Sequence, residues 1–460
     1  MESDRPDFED MERLIDRLPE TETERRLVKH LVIRDPNCGV KDEWVTPEMT
    51  FCRRLESVVL SGVPDASDKT IVRLARDNPN LRGLDLTGCK YVSEVAIVEL
   101  VSQAPPLQWL QLSGVVLTDS TVSAIAKTFC KLVELELCDE PLLSAVSARD
   151  IWTYSRKLRM LRLARCPLLT DKALPSPIKK GGNVTTTGSD KPLPHRPSTW
   201  LDGLPLLILR HTAVDLRVLD LSYCTKLTDE GIEGVLVHAP SLHTLSLAGC
   251  TNLTDRSVEN ICKLGVQLGA VTLAHVWRVT DAGIVKLARA CLGLKSVDLA
   301  CREPQFSELR RVCRLLTDMS VFELAELENL HRLVLVRVPK LTDNAIYQLG
   351  DHARSLERLH LSYCDRVSLK AIHHLLRNAP RLNHLTATGV PAARRAGLSR
   401  FSDRAPETMD EDQKSAFRVF SGENLRALRR FLGKEKLRRE EAEAQNIPFV
   451  ARSDDKMDLY

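Results

Sequence analysis

The pattern L-x-x-[LV]-x-L begins at Leu55, Leu81, Leu107, Leu132, Leu158, Leu216, Leu242, Leu268, Leu294, Leu330 and Leu356, with weaker copies at Val28 and Leu382. From Leu55 to Leu356 the successive steps are 26, 26, 25, 26, 58, 26, 26, 26, 36 and 26 residues. A step held this constant means that one supersecondary unit recurs, and such a unit buries its apolar face only against its neighbours. By length alone, 460 residues suggest two or three globular domains. The repeat instead predicts one elongated, right-handed solenoid over residues 27–398, with no second globular domain.

Each unit reads the same way. In LRGLDLTGC, from Leu81, leucines alternate with other residues as in a short strand with one buried face. Three residues past the last leucine stands Cys89, Cys166, Cys224, Cys250 or Cys364. A small thiol there packs and makes weak hydrogen bonds where the chain leaves the strand. Then comes Thr-Asp, as at Thr228-Asp229, Thr254-Asp255, Thr280-Asp281, Thr317-Asp318 and Thr342-Asp343. These residues are expected to cap the first turn of a helix, whose dipole also favours the carboxylate. Ile232, Val235 and Leu236 follow at helical spacing. One strand and one helix per unit define an α/β fold, a leucine-rich-repeat solenoid (horseshoe) of the cysteine-containing type.

Two steps depart from the rule. The step of 58 holds PSPIKKGGNVTTTGSDKPLPHRP, from Pro175, whose composition predicts a flexible insertion at about 175–207. The step of 36 holds REPQFSELRRV, a short insertion at 302–312. Ahead of the repeats, residues 1–26 form a polar segment. After them, residues 399–433 should cap the last apolar face with Phe417, Phe420, Leu425, Leu428 and Phe431, and residues 434–460 form a charged tail.

Composition excludes several functions. Lys plus Arg, 65, nearly balances Asp plus Glu, 62, so the total favours neither nucleic acid nor an anionic membrane as partner. No apolar stretch is long enough for a bilayer span or a signal peptide. Thirteen cysteines, several at one repeat position, suit reduced, buried thiols of a cytoplasmic or nuclear protein. One cysteine per repeat does not converge on a metal ion, and the sequons at Asn183 and Asn252 are chance matches outside the secretory route. With no phosphate loop, H-E-x-x-H helix or C-x-x-C pair, the chain is read as a binding protein without cofactor, and not as an enzyme.

Binding residues are therefore sought between the strand leucines, on the concave face. The middle repeats place Asp85, Trp109, Gln111, Glu134, Glu136, Arg162 and Arg165 there, and Trp109 can be an anchor or a filler of the surface. The late repeats place Arg332, Arg337, Arg358, His360 and His384 there, with His275 nearby. Arg332, Arg358 and His384 share one repeat position, so stacking should build a basic ladder suited to a phosphate. Its arginines stay charged, and its histidines should add charge as pH falls.

The segments SVDLAC from Ser296, LTDMSVFELAELENLHRLVLVRVPKLTDNAIYQL from Leu316, LERLHLSYCDRVSLKAIHHLL from Leu356 and AFRVFSG from Ala416 resemble the fungal F-box/leucine-rich-repeat proteins of the glucose-repression-resistance type. The resemblance implies a substrate receptor of a Skp/cullin/F-box ubiquitin ligase, binding phosphorylated or unphosphorylated cell-cycle or nutrient regulators for proteasomal degradation. In this chain the family's Skp-binding F-box is not recognisable. Val28 already opens the first repeat strand, and only Leu18-Pro19-Glu20 mimics an F-box start, so weak or absent direct Skp binding is expected. The alternative function is an F-box-free scaffold or inhibitor, like the mitotic-exit antagonists that share the repeat.

Overall fold

A computed structural model describes residues 21–33, 52–63, 66–177, 203–301 and 315–450, in two units, Met1–Cys166 and Pro167–Tyr460. The insertion at 302–312 lies outside the described residues.

The first unit runs α1 (Glu22–Leu27), β1 (His30–Val32), β2 (Ser57–Val59), α2 (Asp68–Asp77), β3 (Gly83–Asp85), α3 (Glu94–Gln103), β4 (Trp109–Gln111), α4 (Asp119–Thr128), β5 (Glu134–Glu136), α5 (Ala145–Tyr154) and β6 (Met160–Arg162). Its strands pair in parallel, each with the next in sequence, so that Leu84 lies beside Leu110, Leu110 beside Leu135 and Leu135 beside Leu161.

The second unit begins with a single 3-10 turn, Asp171–Ala173. It continues with β7 (Val218–Asp220), α6 (Asp229–His238), β8 (Thr244–Ser246), α7 (Asp255–Ile261), β9 (Ala270–Thr272), α8 (Asp281–Ala290), β10 (Ser296–Asp298), α9 (Asp318–Ala325), β11 (Arg332–Val334), α10 (Asp343–His352), β12 (Arg358–His360), α11 (Leu369–Asn378) and β13 (His384–Thr386). After these come α12 (Ala396–Ser399), α13 (Glu411–Ala416), β14 (Val419–Ser421) and α14 (Gly422–Ala444). Strands β7 to β13 pair in parallel in sequence order, and β14 closes the edge antiparallel to β13.

Burial follows the alternation. Leu219, Leu245, Val271, Val297, Leu333, Leu359 and Leu385, at the centres of their strands, are at most 1% exposed. Helix residues Ile232 and Val235 are buried as well, each 1% exposed. Each such side chain contributes roughly 1.5–3 kcal/mol on burial, which is why strands of three residues suffice.

The helix starts work differently from the expectation. Thr254 Oγ1 caps its own helix, accepting the Arg256 N–H at 3.2 Å. The aspartate that follows serves the next repeat instead of its own helix. Asp229 accepts the N–H and Oγ1–H of Thr254 at 2.9 and 2.7 Å, and Asp255 accepts those of Thr280 at 2.8 and 2.6 Å. Asp281 holds Thr317, Asp318 holds Thr342 and Asp343 holds Ser368 in the same way. In the first unit Asp68 clamps Ser93, Glu94 clamps Thr118 and Asp119 clamps Ser144. A partly buried carboxylate so satisfied locks the spacing of consecutive repeats.

The thiols bond as the repeat predicts: Cys89 donates to the Leu60 carbonyl at 3.0 Å, Cys250 to Leu221 at 3.1 Å and Cys364 to Leu335 at 2.9 Å. Burial pushes the Cys89 and Cys364 thiols up to about 12, so neither is a thiolate at neutral pH. Cys301 departs from the reduced set, being disulfide-bonded. Glu140 occupies the thiol position of its repeat. It is 0% exposed, its Oε2 accepts the Leu117 N–H at 3.1 Å, and its Oε1 has no partner. Burial raises its carboxyl from the ordinary 4.5 to about 8, against the Leu117 hydrogen bond and with help from Asp139.

The ends of the long insertion are structural. The Ser176 carbonyl accepts from Nε2 of buried His238 at 3.0 Å, and Pro175 bridges Leu207. A Cβ at Gly234 would sit 1.8 Å from the Pro175 carbonyl oxygen, so glycine is required there. Asp171 clamps Thr228 at 2.9 Å across the whole insertion. Residues 178–202, its centre, lie outside the described residues. At the other end of the unit Phe420, Leu425, Leu428, Phe431 and Leu432 are buried, while Phe417 is only half-buried.

Candidate functional site

The late strands of the second unit carry the predicted ladder in the predicted register. Arg332 pairs with Arg358 and Arg358 with His384 across β11, β12 and β13; one position along, Val334 pairs with His360 and His360 with Thr386. Neighbouring strands lie roughly 4.8 Å apart. Both arginines are exposed, because they alternate with Leu333 and Leu359, which are buried. Among the described residues neither the Arg332 nor the Arg358 side chain has an ion-pair or hydrogen-bond partner. Two like charges opposite one another cost stability, so packing alone does not account for them.

The histidines depart from the expectation. Burial, with the charges of His384 and Arg332, lowers His360 to about 4, and its Nε2 lies 2.7 Å from Ser362 Oγ. His384 is lowered as well, first by burial and then by Arg358, with Asp403 opposing. Both rings are therefore neutral at physiological pH in the free protein, and they flank the guanidinium pair as polar neighbours. At the other side of the ladder Asp298 accepts the Ala300 N–H at 2.9 Å, and burial raises its carboxyl against the pull of Arg332 and His275.

Beyond the strands, the residue before the thiol position adopts a left-handed conformation in repeat after repeat. Gly62, Gly88, Gly114, Gly249 and Gly389 do so as glycines, and Asp139, Arg165, Tyr223, His275, Arg337 and Tyr363 do so as larger residues, with φ from 56° to 63°. Such conformations are strained outside glycine. Arg337 lays its guanidinium 4.5 Å from the Tyr363 ring centroid, and the same ring covers Gly389, where a Cβ would lie 2.4 Å from it. Sequence reading singled out Arg337 but missed Tyr363; the alternation of Gly-Cys with Tyr-Cys ahead of the repeat cysteines is the signal that finds it.

The candidates of the first unit are occupied. Arg162 Nη1 donates to Glu136 at 3.1 Å, and Arg165 binds Asp139, holding that carboxyl below its usual range. Both arginines are thus neutralised by the preceding repeat. Trp109 is 8% exposed and lies over Gly83, where a Cβ would come within 1.9 Å of its ring, so it fills the strand face and does not project as an anchor. Asp85 accepts the Thr87 N–H at 2.9 Å. The structure therefore gathers Arg332, Arg337, Arg358, His360 and His384 in the second unit, while Trp109, Arg162 and Arg165 belong to the first. Among the described residues no three His, Cys, Asp or Glu side chains group as metal ligands, and no helix is long and apolar enough to cross a membrane.

The strand-and-helix repeat, its register and its thiols define an α/β leucine-rich-repeat fold. The family model described as Leucine Rich repeat matches residues 214–236. Over 110 residues the chain is 34% identical to the SCF E3 ubiquitin ligase complex F-box protein pof2 of Schizosaccharomyces pombe, a match covering 24% of each protein. The chain thus spans about a quarter of that relative's length. The crystal structure of the yeast Rad7 and Elc1 complex contains a chain of similar fold, with a TM-score of 0.53 at 19% identity over 73% of this chain and 76% of that one.

Proposed function

We propose that this chain is a substrate-recognition subunit of an SCF-type ubiquitin ligase and that it holds a phosphorylated protein segment on the Arg332–Arg358 ladder. The carrying observation is the pair of adjacent guanidiniums, neither of them held in an ion pair among the described residues, although Asp298 lies near enough to feel Arg332. A phosphate placed between them accepts charge-assisted hydrogen bonds from both, each worth roughly 1.5–3 kcal/mol. The likeness to pof2, itself an F-box protein of an SCF ligase, supports the ligase context, and the narrower glucose-repression-resistance resemblance belongs to the same reading. The work is done by binding, in cytoplasm or nucleus, with no catalytic step assigned to this chain.

Arg332→Glu combined with Arg358→Glu should abolish phosphopeptide binding while the circular-dichroism spectrum stays native. The matching control must avoid Arg429, which donates to the Ala379 and Leu382 carbonyls at 3.2 and 3.4 Å and so helps seat the cap. Arg430→Glu, at an exposed contact with Glu423, is the suitable control. Undiminished binding by the double variant would refute phosphate recognition. Co-purification with Skp and cullin subunits separates a ligase receptor from a free-standing scaffold or inhibitor.

A further inference from the structure

The second unit carries a further row of cations at the edge where each strand turns toward its helix. Lys226, Arg278, Lys340 and Arg366 stand three residues beyond the left-handed position of their repeats, and all four are exposed. Among the described residues none of them has an ion-pair or side-chain hydrogen-bond partner. Cations on the helices of the same unit behave differently: Arg256 pairs with Glu233 at 3.1 Å, and Lys286 with Glu259 and Arg289 with Glu323 pair likewise from one repeat to the next. Nor is the edge basic by construction. The matching positions of the first unit include Tyr91 and Leu142, 67% and 46% exposed, and the buried Leu117.

Lys340 and Arg366 fall in the two repeats that bear Arg332 and Arg358, and Arg337 lies between strand and edge in the first of them. Five cations therefore run from the open strand face, over the Arg337–Tyr363 stack, to the turn. We infer that the Lys340–Arg366 edge is an electrostatic docking surface for an acidic polypeptide stretch, so that the segment recognised is a phosphorylated residue adjoined by a run of Asp or Glu. This rests on the phosphate reading of the ladder. A single-stranded nucleic acid fits less well, because base stacking needs open ring faces, and the Tyr363 ring is covered by Arg337 and Gly389.

The test uses the full chain and fluorescence anisotropy with three peptides: phosphoserine beside a glutamate run, phosphoserine beside a glycine-serine run, and unphosphorylated serine beside the glutamate run. Wild type should bind the first most tightly. Lys340→Glu with Arg366→Glu should weaken the first roughly tenfold, as expected for two solvent-screened pairs turned repulsive, and leave the second unchanged. Its binding should also become less sensitive to salt. Equal wild-type affinity for the two phosphopeptides would overturn the edge assignment and leave the ladder standing. Undiminished binding of the second peptide by the Arg332→Glu, Arg358→Glu variant would instead remove the ladder reading, and no binding of any peptide by folded wild type would remove both. A single-stranded oligonucleotide bound more tightly than the first peptide, and lost with Lys340→Glu and Arg366→Glu, would reassign the edge to nucleic acid.

Discussion

The two units are built from one repeat and decorated in opposite ways. On the strand face of the first, Arg162 is matched by Glu136 and, just beyond, Arg165 by Asp139, each with its partner in the preceding repeat. On the strand face of the second, Arg332 and Arg358 stand side by side, each in the place where the other's counter-ion would sit. The same architecture can plainly accommodate inter-repeat ion pairs, so their absence from the late strands is a property of those side chains and not of the fold. On the phosphate reading proposed above, the charge left without an ion pair there is met by a ligand that brings the missing sign.

The strongest way to separate the units further is pH. Glu140 belongs to the first unit alone, and its folded carboxyl titrates at about 8 against an ordinary 4.5. Between those values the folded chain retains a proton that the unfolded chain has lost, so stability should decline as pH rises, by about 1.4 kcal/mol per pH unit, and level off above the folded value. Hydrogen exchange of the repeat around Leu117 and Leu143 should show this slope, and the late repeats should not. Glu140→Cys, restoring the thiol of the repeat, should flatten it; an unchanged slope in that variant would clear Glu140.

The clamps should behave alike in both units. Asp281→Ala and Asp119→Ala each remove a carboxylate that serves the next helix start, at a cost of about 2–3 kcal/mol in urea unfolding. A loss in one unit only would mean that the shared clamp is not what spaces the repeats. A smaller effect is expected where the units differ. Asp139→Asn should cost less than about 1 kcal/mol, since the Arg165 pair is roughly half exposed, and asparagine tolerates the left-handed backbone. That variant releases an arginine in the first unit, and a measurable gain there in affinity for an acidic peptide would show that pairing alone silences the first-unit arginines.

Much of this was legible as one-dimensional spacing. Arg332, Arg358 and His384 lie 26 residues apart in succession, and parallel in-register strands turn that spacing directly into contact. The same arithmetic places Arg162 26 residues after Glu136 and Trp109 26 after Gly83, so the ion pair and the buried ring were also present in the sequence for a reading across repeats. What spacing did not disclose depends on depth and backbone. A histidine at an alternating position looks open, yet burial, with His384 and the Arg332 guanidinium, keeps His360 neutral. Asp after Thr looks like a cap for its own helix, and only the stacking geometry sends its carboxylate to the next one.

That last arrangement gives the molecule a chemistry of chain growth. Each aspartate at a helix start is an end group ready to receive one more monomer, and each incoming Thr or Ser completes the linkage. In both units the series stops where the helix opens without an acid, at Ala145 and at Leu369. Those two residues act as terminators written into the sequence, and a whole repeat can be inserted or removed ahead of either without leaving a linkage half-made.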